Sequence, residues 1–244
     1  MTEVNRERRV FAWEAPFYFT QFEFDLSMRR VHFRSTVSPW HGSLVEIAFR
    51  GLPHWVVDFG CYSVTFRCEG SLPEAALGQM NEIAETLSAL EPQSEAAEAQ
   101  RRKHFAILES YLDRAEGFAP LRQAEVAEEL QILLEKYQRD GLAFAGWVIM
   151  PNHLHLLTDP FSCANADHFF KRWNHFKQKT AIALNQKLTR QGRFWQKNGY
   201  DRWIRGPSEY QRWVEYFRMN PVKAGLVPEG REYPFQRIPK EIPQ

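Results

Sequence analysis

Cysteine is scarce in this chain: Cys61, Cys68 and Cys163 are the only three in 244 residues. An odd number without a CxxC spacing argues against a disulfide framework and against a thiolate zinc site, so a reducing cytoplasm is the expected setting. Long apolar runs are missing as well. No stretch reaches the ~18 apolar residues of a membrane span, and the opening MTEVNRERRVFAWEAPFYF lacks the uninterrupted apolar core of a signal peptide. Internal repeats and low-complexity tracts are absent too. So is a large net charge, the formal value being +1, although a balanced sum can conceal a polarised distribution.

Aromatic residues are plentiful: 19 Phe and 8 Trp are ample for one sizeable core. The charge is indeed polarised. Residues 68–140 hold fifteen acidic against seven basic side chains, and residues 161–205 hold two acidic against ten basic ones. The basic region is interleaved with Phe169, Phe170, Trp173, Phe176, Phe194, Trp195, Tyr200 and Trp203. Basic groups attract phosphates and aromatic faces stack unpaired bases, which marks Lys171, Arg172, Lys177, Lys179, Arg193, Trp195, Lys197, Arg202 and Arg205 as candidate DNA contacts. The same pattern also fits an amphipathic helix with a solvated basic face and an aromatic core face.

The pattern of apolar positions predicts a strand at 61–67 and helices around 73–90, 95–115 and 122–138, the first with Ser71 as a cap. Strands follow at 142–149 and 153–158, then a helix at 166–185. Short strands near 194–196 and 200–204 and a helix at 208–219, closed by Pro221, complete the order. Residues 1 to about 50 alternate aromatic and polar residues, as in FYFTQFEFDL and RRVHFRSTV, a two-stranded reading. The tight turn at Pro151-Asn152 joins antiparallel neighbours, so the expected class is α+β with a central antiparallel sheet and flanking helices.

Within WVIMPNHLHLLTDP, His153 and His155 lie two apart on a strand and share one face, while Leu154 and Leu156 share the other. An HxH pair fits either a solvated sheet face or a metal site. In SEYQRWVEYFRMNP, Tyr216 and Asn220 are four apart and share a helix face. Two imidazole nitrogens and an amide oxygen leave open positions on a divalent cation, with a phenol beside it. That set suits phosphoryl transfer, with the tyrosine oxygen attacking in line. The plainer alternative is that Tyr216 and Asn220 pack and cap a helix end.

WVIMPNHLHLLTDP, followed by FWQKNGYDRWIR and YFRMNPVKAGLV, closely resembles the REP-associated tyrosine transposases, domesticated relatives of the single-tyrosine HUH transposases. Upstream, RGLPHWVVDFGCYSVTFRCEGSLP looks like that family's entry into its first strand. The resemblance covers roughly residues 51–235, leaving 1–50 as an N-terminal extension and 236–244 as a tail. It implies a ferredoxin-like fold, with His153 and His155 as metal ligands on a central strand, Tyr216 as nucleophile and Asn220 as third ligand. Insertion-sequence relatives often carry Gln at that last position. Tyr210, six residues before Tyr216 and on another helix face, is expected to be structural.

The implied activity is Mg2+- or Mn2+-dependent cleavage of single-stranded DNA at hairpins through a 5′-phosphotyrosine, with a homodimer as one expected form. A catalytically silent hairpin-binding protein and a hydrolase in which water attacks are the alternatives. The helical segment from about 73 to 138 is longer than in compact transposases, and its acidity makes it a poor DNA face. Covering the sheet or meeting a second subunit are the roles left to it.

Overall fold

A computed structural model describes residue 40, residues 42–137, residues 141–240 and residue 242. The alternating stretches FYFTQFEFDL and RRVHFRSTV lie outside the described residues. In chain order the elements are β1 (Ser43–Arg50), β2 (Leu52–Asp58), β3 (Cys61–Arg67), α1 (Glu74–Ala89) and α2 (Glu95–Leu112). A 3-10 turn (Pro120–Arg122), α3 (Ala124–Lys136), β4 (Phe144–Met150), β5 (His153–Thr158) and α4 (Ala166–Lys187) follow. The last three are β6 (Tyr200–Ile204), α5 (Pro207–Lys223) and β7 (Gln236–Arg237).

β1 and β2 form an antiparallel hairpin that turns at Gly51, where φ is +86°, a value glycine adopts without strain. The main sheet has five strands in the order β6-β3-β5-β4-β7, with every neighbouring pair antiparallel. Tracing β3, α3, β4, β5, α4 and β6 gives two interleaved split βαβ units, the ferredoxin-like topology. The expected α+β architecture is therefore present. α1 and α2 are inserted into the first crossover, between β3 and α3.

β5, HLHLLT, is buried at all six positions because both faces of the sheet are covered. On one face Tyr62, Val64, Phe66, Trp147, Ile149, Leu154 and Leu156 pack against α3 and α4 through Leu130, Leu134, Phe169, Trp173 and Phe176. On the other, Cys61, Val148, Met150, Leu157 and Ile204 pack against Tyr210 and Phe217 of α5. α1 and α2 pack together through Ala76, Leu108 and Leu112, with Tyr200 of β6 in the same cluster.

Several local expectations are corrected. Ser71 is not the cap of α1; Pro73 occupies that place with no side-chain cap bond, because the helix starts at Glu74. The caps that do form are Ser94 on α2 and Asn165 on α4, whose side chains accept from Ala97 N and His168 N. Residues 194–196 make only an isolated bridge between Cys68 and Trp195, since Phe194 and Trp195 turn inward instead of extending a ladder. Pro221 does not close α5, which runs on to Lys223; the amide of Ala224 reaches the Asn220 carbonyl and completes the turn around the proline. β7 was not anticipated: Gln236 and Arg237 pair with Val148 and Trp147 on the outer edge of β4.

Candidate active site

The central pairing of β5 with β3 and β4 places His153 and His155 in the middle of the sheet, both with no solvent exposure. Their positions follow from period two: Leu154 and Leu156 fill the core on the α3/α4 side, so both imidazoles face α5. Each ring is held from behind. His153 Nδ1 lies 2.7 Å from the Asn152 side-chain oxygen, and His155 Nδ1 lies 2.8 Å from the Thr65 hydroxyl. An amide oxygen only accepts, so Nδ1 of His153 carries the proton and its Nε2 presents a lone pair.

The two Nε2 atoms meet 2.9 Å apart, close enough for both to touch one ion at the ~2.0–2.1 Å of an imidazole ligand. Burial, and then the neighbouring His155, push the His153 imidazole well below its usual range, keeping it in the neutral form that ligates metals.

α5 brings the other two expected residues. Asn220 is 2% exposed with Nδ2 3.3 Å from His155 Nε2, and its Oδ1 is buried without a hydrogen-bond partner. The Tyr216 ring stands edge-on to His155 with centroids 5.4 Å apart. Tyr210 is fully buried against Trp40, as a structural residue should be. The structure thus gathers His153, His155, Tyr216 and Asn220 at one place.

A residue that sequence reasoning missed joins them. Glu109 on α2 is 8% exposed, and its Oε2 lies 3.5 Å from His155 Nε2 and accepts a hydrogen bond from the Tyr216 hydroxyl. One ligand atom from each of Glu109, His153 and His155 falls within 4.8 Å of the others, so the three could hold one cation. Glu109 Oε1 is buried without a partner, as is Oδ1 of Asp113 one turn further along α2. Burial, and then the Glu109 carboxylate, push Asp113 up to about 6. A signal existed in the sequence: Phe105, Leu108 and Leu112 set an apolar helix face, and Glu109 sits inside it at i+4 from Phe105.

α2 is braced against the strand and helix it serves. Arg202 of β6 donates to Glu98 of α2 at 2.6 Å and to Glu209 of α5 at 2.8 Å, while Arg101 donates to Glu98 at 2.6 Å. The acidic segment therefore does cover the sheet, and its acidity is partly spent on these bonds.

The proposed DNA contacts divide into two groups. Trp195 is buried against Phe66 and Phe194, with its indole N–H donating to Thr180. Arg172 is buried and donates to Ser162 O and Cys163 Sγ, and Arg202 is engaged as above. Lys171, Lys179, Arg193, Lys197 and Arg205 are exposed. Lys177 is half-buried, donating to Gln196 O and Lys197 O, and burial with nearby Arg193 and Arg50 lowers it to about 8. Lys171, Lys177 and Lys179 ride on α4, across the sheet from the histidines. Phe169, Trp173, Phe176 and Phe194 are core residues, so most of the interleaved aromatics follow the amphipathic-helix reading.

No family model matches the sequence. Over 97 residues the chain is 32% identical to the REP-associated tyrosine transposase of Escherichia coli (strain K12), covering 39% of this chain and 54% of that protein. The chain thus spans about half the length of the curated relative it matches. The resemblance to REP-associated tyrosine transposases read from the motifs is borne out by this match. A solved REP-associated tyrosine transposase, bound to a REP hairpin, superposes with a TM-score of 0.43 at 16% identity, covering 78% of this chain and 81% of that one. Among the described residues no helix is long and apolar enough to cross a membrane.

Proposed function

We propose that this protein is a divalent-metal-dependent DNA transesterase that cuts single-stranded DNA at hairpins, with Tyr216 as nucleophile and His153, His155 and Asn220 holding the cation. One observation carries the reading: two buried imidazole Nε2 atoms, the Asn220 amide and the Tyr216 phenol converge over the middle of one sheet. The related transposase of Escherichia coli supports the choice of a DNA substrate.

The Tyr216 oxygen attacks the phosphorus of the scissile phosphodiester, the P–O3′ bond breaks, and a 5′-phosphotyrosine and a free 3′-hydroxyl result. The phenol hydroxyl already donates to Glu109, which gives its proton a carboxylate to move to, while the departing O3′ takes up one proton from solvent to leave as the hydroxyl. Asn152 and Thr65 fix the two imidazoles so that their Nε2 atoms point inward. A bound Mg2+ or Mn2+ would polarise a phosphate oxygen and offset charge in the transition state. The exposed Lys171, Lys179, Arg193, Lys197 and Arg205 supply phosphate contacts for the rest of the DNA.

The test uses end-labelled single-stranded hairpins, drawn from DNA flanking the gene, incubated with protein and Mg2+ or Mn2+ and run on a denaturing gel. A metal-dependent protein–DNA adduct on the fragment 3′ of the cut, absent with Tyr216→Phe, is the expected result. Cleavage with no adduct would transfer the attack to water, and binding without cleavage would leave a hairpin-binding protein.

A further inference from the structure

The inserted helices α1 and α2 are not needed to close a ferredoxin-like sheet, because α3 already supplies the first crossover. Yet α2 covers the histidine face and buries a carboxylate there. An unpaired buried carboxylate is costly unless a charge or several hydrogen bonds compensate it. Glu109 has the Tyr216 hydroxyl on Oε2 and His155 Nε2 at 3.5 Å, while Oε1 is buried with nothing to accept from. On α5, Asn220 Oδ1 is also buried and unpartnered. Ligand atoms of His153, His155 and Glu109 lie within 4.8 Å of one another, and the Asn220 amide reaches the same place with Nδ2 3.3 Å from His155 Nε2.

We infer that Glu109 is a protein ligand to the cation, making the centre a two-histidine, one-carboxylate site that takes a divalent transition ion such as Mn2+ ahead of Mg2+. The chemistry of the donors sets the preference. Mg2+ binds hard oxygen ligands and keeps its waters, whereas imidazole nitrogens favour the first-row transition ions. A carboxylate offers two oxygens and about four lone-pair positions, so Glu109 can serve the cation and still accept from the phenol. The inserted hairpin then ties the nucleophile to the cation through one side chain. The inference builds on the cation site proposed above, but it does not depend on DNA cleavage.

The experiment is calorimetric titration of the metal-free full chain with MnCl2, without DNA, alongside Glu109→Gln and Tyr216→Phe. Glu109→Gln is expected to weaken Mn2+ binding by at least about tenfold while its metal-free melting temperature stays near that of the wild type. Tyr216→Phe, which removes the phenol and leaves the carboxylate, is expected to bind Mn2+ undiminished. Mg2+ at equal concentration is expected not to displace Mn2+ from the wild type.

Undiminished Mn2+ affinity in Glu109→Gln would overturn the inference and leave the histidines and Asn220 as the centre. A wild type that binds no Mn2+ would overturn both the inference and the proposed metal dependence. Glu109-dependent binding together with no DNA adduct would sink the transesterase and keep the site. Should Glu109→Gln not fold, Glu109→Asp keeps the charge but withdraws the oxygens by one methylene, and is read in the same way.

Discussion

Thr65 on β3 stands opposite His155 on β5 in the central ladder, its hydroxyl 2.8 Å from Nδ1. Groups that orient a metal-ligating imidazole matter for affinity in their own right, typically 10–100-fold. Thr65→Val keeps the shape and removes the hydroxyl. It is expected to weaken Mn2+ binding by about tenfold and to lower stability by about 1–2 kcal/mol, because the ring nitrogen is left without its partner in the core. Titration calorimetry and a urea melt read the two effects separately.

Acid should loosen the molecule through His104. Burial, with Arg67 adding to it, lowers this imidazole to about 4. The unfolded chain, with a histidine near its ordinary ~6.5, takes up a proton that the folded state refuses between those values. The stabilising contribution is therefore complete above pH ~6.5 and is lost as the pH falls toward 4, on the order of 3 kcal/mol. His104→Phe, in a pocket where Tyr200 and Arg101 are neighbours, should flatten that part of the stability–pH curve. An unchanged slope in that variant would show that other groups carry the acid limb.

Arg202 and Arg193 should separate stability from DNA affinity. Arg202 bridges Glu98 and Glu209 with its side chain 18% exposed, and removing it leaves two carboxylates without their shared partner. Arg202→Ala is expected to cost about 2 kcal/mol, less than for a fully buried pair because water reaches the group. Arg193 is exposed, and its ion pair with Glu69 spans 3.6 Å at the surface. Arg193→Ala is expected to leave the melt unchanged and to reduce the salt slope of hairpin binding by about 0.7–0.9. Thermal melts and binding at several salt concentrations decide the matter.

Phe176 tests the core beneath the histidine strand. It is fully buried on α4 and touches Phe66, Tyr137 and Phe144. Phe176→Ala should cost about 3–5 kcal/mol, the usual range for emptying an aromatic site in a packed interior. A loss well under 2 kcal/mol in a denaturant melt would mean that α4 can collapse onto the space.

Much of this arrangement was legible in the residues themselves. β3 and β5 occupy the predicted 61–67 and 153–158, because alternation and a Pro-Asn turn are local signals. His153 and His155 share one face of their strand, and Tyr216 and Asn220 one face of their helix, as their spacing implied; that the two pairs meet is what the family resemblance implied. Glu109 was hidden by its surroundings: it is one of fifteen acidic residues between 68 and 140, where a single carboxylate draws no notice. Only its place among Phe105, Leu108 and Leu112 distinguishes it. Trp195 and Arg172 went the other way, since composition cannot tell an aromatic or arginine that faces DNA from one that faces the core. β7 has two residues, too few for any period to register.

The residues around the candidate centre are scattered along the chain. His153 and His155 share one strand, but Thr65 is 90 residues from His155, Asn220 is 65, and Tyr216 and Glu109 are 107 apart. A chain emerging from the ribosome can close the β4–β5 hairpin early, yet it then carries imidazoles without their carboxylate setting or their phenol. α5 is made after every other element that lines the centre. On the function proposed above, a nascent chain has no complete centre with which to act on DNA until α5 has been made and docked, so the site is assembled as one of the last acts of the chain's own synthesis.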